Sequence, residues 1–345
     1  MPEPLVSIVV PAYNEEQRIS AALESLRAQT WPNLEAIVVN DGSTDDTSGV
    51  VRRGYPEVVL VEKWNEGLAR AYNSGADVAR GEYIGFLDAD DRFAPEKTAQ
   101  QMAVLLSEPN VGAVGTNGIV FSGPLQYPAQ SPRWPRLKEI SVLDVFNGIH
   151  PIGTSVMLPM EVFNAAGRYG HEVRRQDDLD LFRRVIMAGK RVLLLNEPLY
   201  LITRYFSSRS SQSFTVRVEG ILDTTAAMDP RNHPAAASVI TPEQYSEVAG
   251  RIILRGLYHA WREDDRELID RLFLRAAELP APPRSLSGLA CLATDETWEA
   301  FGGLLRRRHA IEHLRRMVRQ WGVIGAVEHM LALRREEQLR KAQEA

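Results

Sequence analysis

Two aspartates spaced one residue apart, Asp88 and Asp90, end an apolar run that begins at Tyr83. Alternate residues of an extended chain point the same way, so both carboxylates can approach one target past the small Ala89. Hard oxygen ligands suit Mg²⁺ or Mn²⁺, which keep several waters and bridge phosphate groups. The motif therefore indicates a site for a divalent cation and a phosphorylated ligand. An acidic turn that only ends a strand is the alternative reading.

An aromatic and acidic motif, PAYNEE, follows the first apolar run of the chain, which reads as a strand ending at Pro11. The exposed ring of Tyr13 could stack on a base, and Glu15 could accept hydrogen bonds from ribose hydroxyls. Asn14 is also a plausible helix N-cap, with the two glutamates in the first helical turn. Both interpretations can hold at once.

Two further turns follow later strands. Asp41 precedes Gly42 and Ser43, and its carboxylate could accept the imide N–H of a pyrimidine base, although Asp-Gly-Ser is also ordinary turn chemistry. Ser43 or Thr44 could cap the next helix. Gly67, after the third strand, either permits close backbone approach to a base or ribose or serves only as a turn residue.

A group of three aspartates, Asp177, Asp178 and Asp180, stands at the start of a predicted helix. The helix dipole favours negative charge there, and Arg183 and Arg184 are possible ion-pair partners. One carboxylate could instead act as a general base toward an acceptor hydroxyl. Desolvation in a closed cleft would raise its pKa toward the range that such a base needs.

Short runs rich in valine and isoleucine alternate with amphipathic segments through the first third of the chain. This alternation predicts an α/β fold with a doubly wound, mainly parallel sheet. Such sheets bind ligands at the carboxyl ends of their strands, where the motifs above lie. The predicted strands are Leu5–Val10, Leu34–Val39, Val58–Val61, Tyr83–Leu87 and Val111–Val114, and the predicted helices are Glu15–Ala28, Thr44–Arg53, Leu68–Ala79, Pro95–Leu106 and Gln176–Met187.

Taken together and in this order, the motifs resemble those of the family 2 glycosyltransferases, over roughly residues 4 to 215. The resemblance implies a catalytic domain of the GT-A fold and a nucleoside pocket at the first motif. It places Asp41 on the uracil edge, Asp88 on ribose or metal, Asp90 on the metal, and the catalytic base at Asp178. The pocket residues it implies are Pro11, Ala12, Tyr13, Glu15, Asp41, Gly67, Asp88 and Ala89.

The reaction implied by the resemblance is a single displacement with inversion, from a nucleotide-sugar donor, a UDP-sugar first, to an acceptor hydroxyl. Mn²⁺ or Mg²⁺ on the DAD motif would be the cofactor. Two positions depart from the family pattern. Tyr72 stands where most members have arginine, and Arg204 is followed by Tyr205 and Phe206 instead of a motif that ends in histidine.

Composition narrows the class of protein. The 345 residues are 44% hydrophobic and 25% charged, as in ordinary globular proteins. A net charge of −5 argues against a nucleic-acid partner. A single cysteine, Cys291, excludes an intramolecular disulfide, and no signal-peptide or membrane-spanning pattern occurs, so a cytoplasmic protein is expected.

The sequence predicts three regions: a catalytic domain over residues 1–220, a linker over 221–240 and helices over 241–345. The stretch from Phe301 to Ala345 contains ten basic residues and five glutamates. This basic stretch could contact the inner face of a membrane, where a lipid-linked acceptor would lie, or serve packing or homo-oligomerisation. A glycan or small-molecule acceptor is equally open. A sugar nucleotidylyltransferase, or an inactive nucleotide-sugar-binding protein, is the alternative function.

Overall fold

The computed structural model describes residues 3–123, 125–146, 149–170, 177–204, 226, 228–280, 302–308 and 310–311. The strands are β1 Val6–Ala12, β2 Leu34–Asp41, β3 Val59–Lys63, β4 Tyr83–Phe86, β5 Arg92–Phe93, β6 Val111–Ser122, β7 Leu125–Pro128, β8 Leu137–Ile140, β9 Met157–Pro159 and β10 Arg191–Arg204. The helices are α1 Ile19–Arg27, α2 Thr47–Gly54, α3 Leu68–Val78, α4 Lys97–Ser107, α5 Val142–Phe146, α6 Met160–Ala165, α7 Asp177–Met187, α8 Pro234–Ala237, α9 Pro242–Arg262 and α10 Arg266–Ala277.

All ten of these strands belong to one sheet, whose main path runs β3-β2-β1-β4-β9-β6-β10-β5. Strands β1 to β4 are parallel, and β6 is parallel to β10. The short strand β9 is antiparallel to both β4 and β6 and joins the two parallel groups. The carboxyl ends of β1 to β4 therefore meet at one edge, which confirms the predicted mainly parallel α/β sheet.

Helices cover both faces of this sheet. Every residue of β1 is buried, and its side chains alternate between two cores: Ile8 and Val10 face one, and Val9 faces the other. Helix α1 covers the first core with residues at helical spacing. Helix α3 comes so close to β1 on the other face that a Cβ at Gly75 would lie 2.3 Å from the Val9 side chain.

The five predicted strands and five predicted helices are present, with ends that differ by a few residues. Strand β1 continues through Pro11 to Ala12 and does not end at Pro11. The first helix begins at Ile19, four residues later than the prediction of Glu15. Residues 122–136, which are rich in proline, glycine and serine as loops are, contain strand β7.

The C-terminal helices form a further hydrophobic core, which they share with α5 and α7. Thr241 caps α9 with a capping box shared with Gln244, as the Thr-Pro-Glu pattern predicts. Met228 and Ile240, from the stretch predicted as a linker, are buried among α9 and α10. The same cluster includes Val142 of α5 and is flanked by Ile186 and Met187 of α7. Helix α7 is thereby packed from both sides.

No helix among the described residues is both long and apolar enough to cross a bilayer. The basic stretch that sequence analysis singled out begins within residues 302–308, but residues 312–345 lie outside the described part of the chain. Cys291 lies outside it as well.

Candidate active site at the carboxyl edge of the sheet

Four predicted site residues follow four adjacent strands along one edge of the sheet. Their order is Gly67 after β3, Asp41 at the end of β2, Tyr13 after β1 and Asp88 after β4. Neighbouring strands are about 4.8 Å apart, so β3 and β4 are separated by about 14 Å. The sheet thus places the four motifs in a line along one edge, in the spatial order β3-β2-β1-β4.

The loops after β1 and β2 are bonded to each other. The backbone N–H of Asn14 donates to Ser43 Oγ at 2.9 Å, and Asn14 Oδ1 accepts from the Thr44 backbone N–H at 2.8 Å. Asn14 has a positive φ of 58°, which asparagine tolerates better than most residues. The prediction that Asn14 caps α1, or that Ser43 or Thr44 caps α2, is therefore wrong. These side chains join two loops about 30 residues apart.

The first motif presents both buried and accessible groups. Pro11 and Ala12 are buried as the last residues of β1, whereas the Tyr13 side chain is 37% exposed. Glu15 is ion-paired with Arg18 at 2.5 Å, and its backbone N–H donates to Thr47 Oγ1. A partly exposed ring on a loop held by backbone hydrogen bonds is a suitable stacking surface.

Asp41 is buried at the end of β2 and holds the next loop in place. Its Oδ1 accepts from the Glu66 backbone N–H at 3.0 Å, and its Oδ2 accepts from the Gly67 backbone N–H at 2.9 Å. Lys63 Nζ lies 4.0 Å from the same carboxylate. Each carboxylate oxygen can accept more than one hydrogen bond, so Asp41 keeps capacity for a ligand donor.

The loop after β3 is close-packed on one side and open on the other. Gly67 has φ +92°, a conformation that glycine adopts without strain, and a Cβ there would meet nothing within 4 Å. On its other side this loop packs against Gly42, which follows β2: a Cβ added to Gly42 would lie 2.7 Å from the Asn65 backbone nitrogen. Trp64 on this loop is 90% exposed, a feature that sequence analysis did not single out.

Three carboxylates gather after β4. Asp88, Asp90 and Asp91 each offer an oxygen, and these oxygens lie within 4.8 Å of one another. Ala89 is buried in the core together with Leu87 and with Ala12, the last residue of β1, and the Leu87 N–H donates to the Val9 carbonyl in the middle of β1. The acid cluster therefore lies beside the first motif, and its oxygen donors fit a hard divalent cation.

Asp91 is the member of this cluster that sequence reasoning missed. It is buried, its Oδ1 accepts from the Thr203 backbone N–H at 2.8 Å, and Tyr200 also bonds to its side chain. Burial, with added repulsion from the charges of Asp88 and Asp90, raises the pKa of Asp91 to about 8. Its partners lie on β10, more than 100 residues away, so no local motif could reveal this role.

Two buried tyrosines hold the acid cluster. The Tyr72 hydroxyl donates to Asp88 Oδ1 at 2.8 Å. The Tyr200 oxygen accepts from the Asp88 backbone N–H at 3.3 Å and from Thr154 Oγ1 at 2.8 Å. Because the Tyr200 oxygen accepts both of these bonds, its own proton is left for Asp91. Burial raises the pKa of both phenols, so both remain protonated donors at neutral pH.

The aspartates of α7 divide into two groups. Asp180 is buried and ion-paired with Arg183 and with Arg184, the latter at 2.8 Å, which confirms the helical ion pairs expected for this segment. Asp178 is the second residue of α7, and its side chain lies outside the described part of the structure. Helix α7 packs near the acid cluster, because its Leu181 and Phe182 share a core with Tyr72 and Phe86.

Arg204 at the end of β10 donates to the Tyr127 hydroxyl at 3.0 Å. Tyr205 and Phe206 lie outside the described residues.

Comparison with known proteins agrees with this geometry. Residues 7–165 match the family described as Glycosyl transferase family 2. This segment, just under half of the chain, is similar to that family. The matched segment includes the first three motifs and the acid cluster, and it ends before Asp178.

The curated proteins similar to this chain include an uncharacterized glycosyltransferase and a named synthase. An uncharacterized glycosyltransferase of Rickettsia typhi is 31% identical over 185 residues, covering 52% of this chain and 58% of the relative. Chondroitin synthase of Pasteurella multocida is 29% identical over 190 residues, covering 54% of this chain and 19% of the relative. The chain thus spans less than two thirds of the length of these relatives.

Solved structures share the fold of this chain. The S. aureus protein TarS, residues 1–349, in complex with UDP-GlcNAc, superposes with a TM-score of 0.66 over 89% of this chain and 92% of that one, at 18% identity. The mannosyltransferase PcManGT from Pyrobaculum calidifontis, in complex with GDP-Man and Mn²⁺, has a TM-score of 0.53 over 90% and 87%, at 20% identity. The likeness establishes a GT-A-type fold.

Proposed function

We propose that this chain transfers a sugar from a nucleoside diphosphate sugar, a UDP-sugar first, to an acceptor hydroxyl with inversion at the anomeric carbon. The observation that carries the proposal is the array of Gly67, Asp41, Tyr13 and Asp88 along about 14 Å of sheet edge. A base near Asp41 and Tyr13 would put the diphosphate beside the acid cluster. TarS with UDP-GlcNAc is the solved neighbour that supports this class of donor.

The residues divide the work of donor binding. Tyr13 stacks on the base, Asp41 accepts its imide N–H, and Glu15 accepts from ribose hydroxyls. Pro11, Ala12, Gly67 and Ala89 shape the pocket through their backbone. Asp88 and Asp90 hold Mn²⁺ or Mg²⁺, which would supply positive charge to the departing diphosphate. The oxygen-only donor set of the cluster fits a hard divalent cation.

In the transfer step, Asp178 removes the proton of the acceptor hydroxyl. The acceptor oxygen then attacks the anomeric carbon with its electron pair, from the side opposite the diphosphate. The bond between that carbon and the diphosphate oxygen breaks in the same step, and the nucleoside diphosphate leaves. Asp180 is excluded as the base because it is buried in its ion pairs with Arg183 and Arg184. The resemblance to the family assigns the role to Asp178, the second residue of α7.

The proposal is tested by release of nucleoside diphosphate, followed by mass spectrometry with a panel of UDP-, GDP- and dTDP-sugars, Mn²⁺ and mixed glycan and small-molecule acceptors. Turnover with one donor is the expected result. A sugar nucleotidylyltransferase would instead release pyrophosphate from a nucleoside triphosphate and a sugar phosphate. An inactive binding protein would bind a donor and turn over neither set of substrates.

For the C-terminal region we propose a helical unit over residues 241–345 that follows a catalytic domain over 1–220 and a connection over 221–240. It packs on α5 and α7 through the cluster that includes Val142. Its basic end could add contact with an anionic membrane or with a second copy of the chain. Co-sedimentation with anionic liposomes and light scattering, each with and without residues 312–345, would separate these roles.

A further inference from the structure

Tyr72 reaches the acid cluster from the adjacent helix. It lies on α3, its side chain is 2% exposed, and its hydroxyl donates to Asp88 Oδ1 at 2.8 Å. It is therefore buried behind the cluster, where it contacts a carboxylate and is shielded from a ligand on the open side. Its position is also one of the two at which the chain departs from the family pattern.

The ring of Tyr72 has little freedom to move. It is stacked on Tyr169 with a centroid distance of 4.8 Å and meets the edge of Phe86 at 5.0 Å. The neighbouring Asn73 bonds to both the backbone carbonyl and the backbone N–H of Tyr169, at 2.9 and 3.2 Å. A hydroxyl on a ring held this way fixes the carboxylate oxygen that it contacts.

The donor at this position is also neutral. A phenol supplies a hydrogen bond to Asp88 without adding a positive charge, whereas an arginine at the same place would add one. A cation within a few ångströms of the cluster would oppose a divalent ion there, because like charges repel strongly in a site partly shielded from water. The tyrosine thus orients Asp88 and leaves its negative charge in place.

We propose that Tyr72 is a positioning residue that orients Asp88 for a divalent cation. The inference rests on the proposed metal role of Asp88 and Asp90. It assigns a specific function to a residue that departs from the family pattern. Partners of a metal ligand of this kind typically change metal affinity by about 10- to 100-fold when removed.

The experiment measures Mn²⁺ affinity of the full chain by electron paramagnetic resonance in the presence of UDP, for wild type, Tyr72→Phe, Tyr72→Arg and Tyr169→Phe. Tyr169→Phe is the matched control, since it removes a hydroxyl from the stacked ring and leaves the Tyr72–Asp88 hydrogen bond intact. We expect about tenfold weaker binding in Tyr72→Phe, a larger loss in Tyr72→Arg and a change below about twofold in Tyr169→Phe. Thermal unfolding checks that all variants fold.

Equal affinity in wild type and Tyr72→Phe would overturn the inference and leave the proposed metal role standing. An equal loss in Tyr169→Phe would also overturn it, because core packing would then be the cause. If wild type binds no Mn²⁺, the metal role and the inference both fall.

Discussion

Replacing Asp41 by asparagine separates two roles that one carboxylate performs. Asp41 accepts backbone hydrogen bonds from Glu66 and Gly67, and in the proposed function it also accepts the imide N–H of uracil. An amide has one accepting oxygen, so Asp41→Asn leaves one backbone N–H without its acceptor. That loss costs about 1–3 kcal/mol of folding free energy, and it disturbs the loop for any nucleotide.

The base contact adds a second effect that depends on the nucleotide. A hydrogen bond to a charged acceptor is worth about 1.5–3 kcal/mol, which corresponds to about 10- to 150-fold in dissociation constant. Cytosine has no imide N–H and cannot use this contact. We therefore expect wild type to prefer UDP over CDP, and Asp41→Asn to lower that preference by about tenfold or more.

The assay is calorimetric titration of UDP and CDP with Mn²⁺ present, combined with urea unfolding. The control is Asp45→Asn in the same loop, whose carboxylate accepts from Glu16 and Thr47 and is expected to leave the nucleotide preference unchanged. Equal weakening of UDP and CDP binding in Asp41→Asn would refute base reading by Asp41. The carboxylate would then serve only to hold the loop that follows β3.

Three further predictions follow from the described contacts. Burial raises the pKa of Glu35, but hydrogen bonds from Ser7 and Arg80 outweigh burial, so the pKa is lowered overall. Glu35→Gln should therefore lower the free energy of unfolding by about 1–3 kcal/mol at neutral pH. Urea unfolding should show this deficit shrink as the pH falls below the ordinary glutamate range, and a deficit that stays constant would contradict the prediction. Asp178→Asn should retain donor affinity by calorimetry and lose at least about a hundredfold in turnover, and near-normal turnover would remove it as the base. Thr241→Ala should lower the free energy of unfolding by about 1 kcal/mol through loss of the α9 cap, which thermal unfolding would detect.

Sequence patterns predicted those parts of the fold that depend on local periodicity. The buried strand that ends beside Tyr13 and the helix that buries Ile19 and Leu23 both follow from the spacing of apolar residues. The acidic pair after β4 was also predictable, because it directly follows a strand of this type. Parallel pairing then brings such strand ends to one edge of the sheet.

Contacts between distant segments were beyond local patterns. Asn14 and Ser43 each have good capping chemistry, yet each bonds to the other's loop, because adjacent parallel strands bring the two loops together. Asp91 reads as one more acid in a turn until β10 supplies Thr203 and Tyr200 as partners. The contact between Tyr72 and Asp88 depends on which face α3 turns toward the acid cluster. The spacing of apolar residues predicts that orientation only to within about one residue.

The central claim is that a nucleoside diphosphate sugar binds with a metal ion at the cluster of Asp88, Asp90 and Asp91. The direct measurement is thermal unfolding of wild type and Asp90→Ala with the panel of UDP-, GDP- and dTDP-sugars, with Mn²⁺ or with a chelator. We predict that at least one donor raises the unfolding temperature of wild type by roughly 5 °C with Mn²⁺, and that chelation or Asp90→Ala removes most of this rise. Stabilisation by no donor, or equal stabilisation without metal and in Asp90→Ala, would contradict the account.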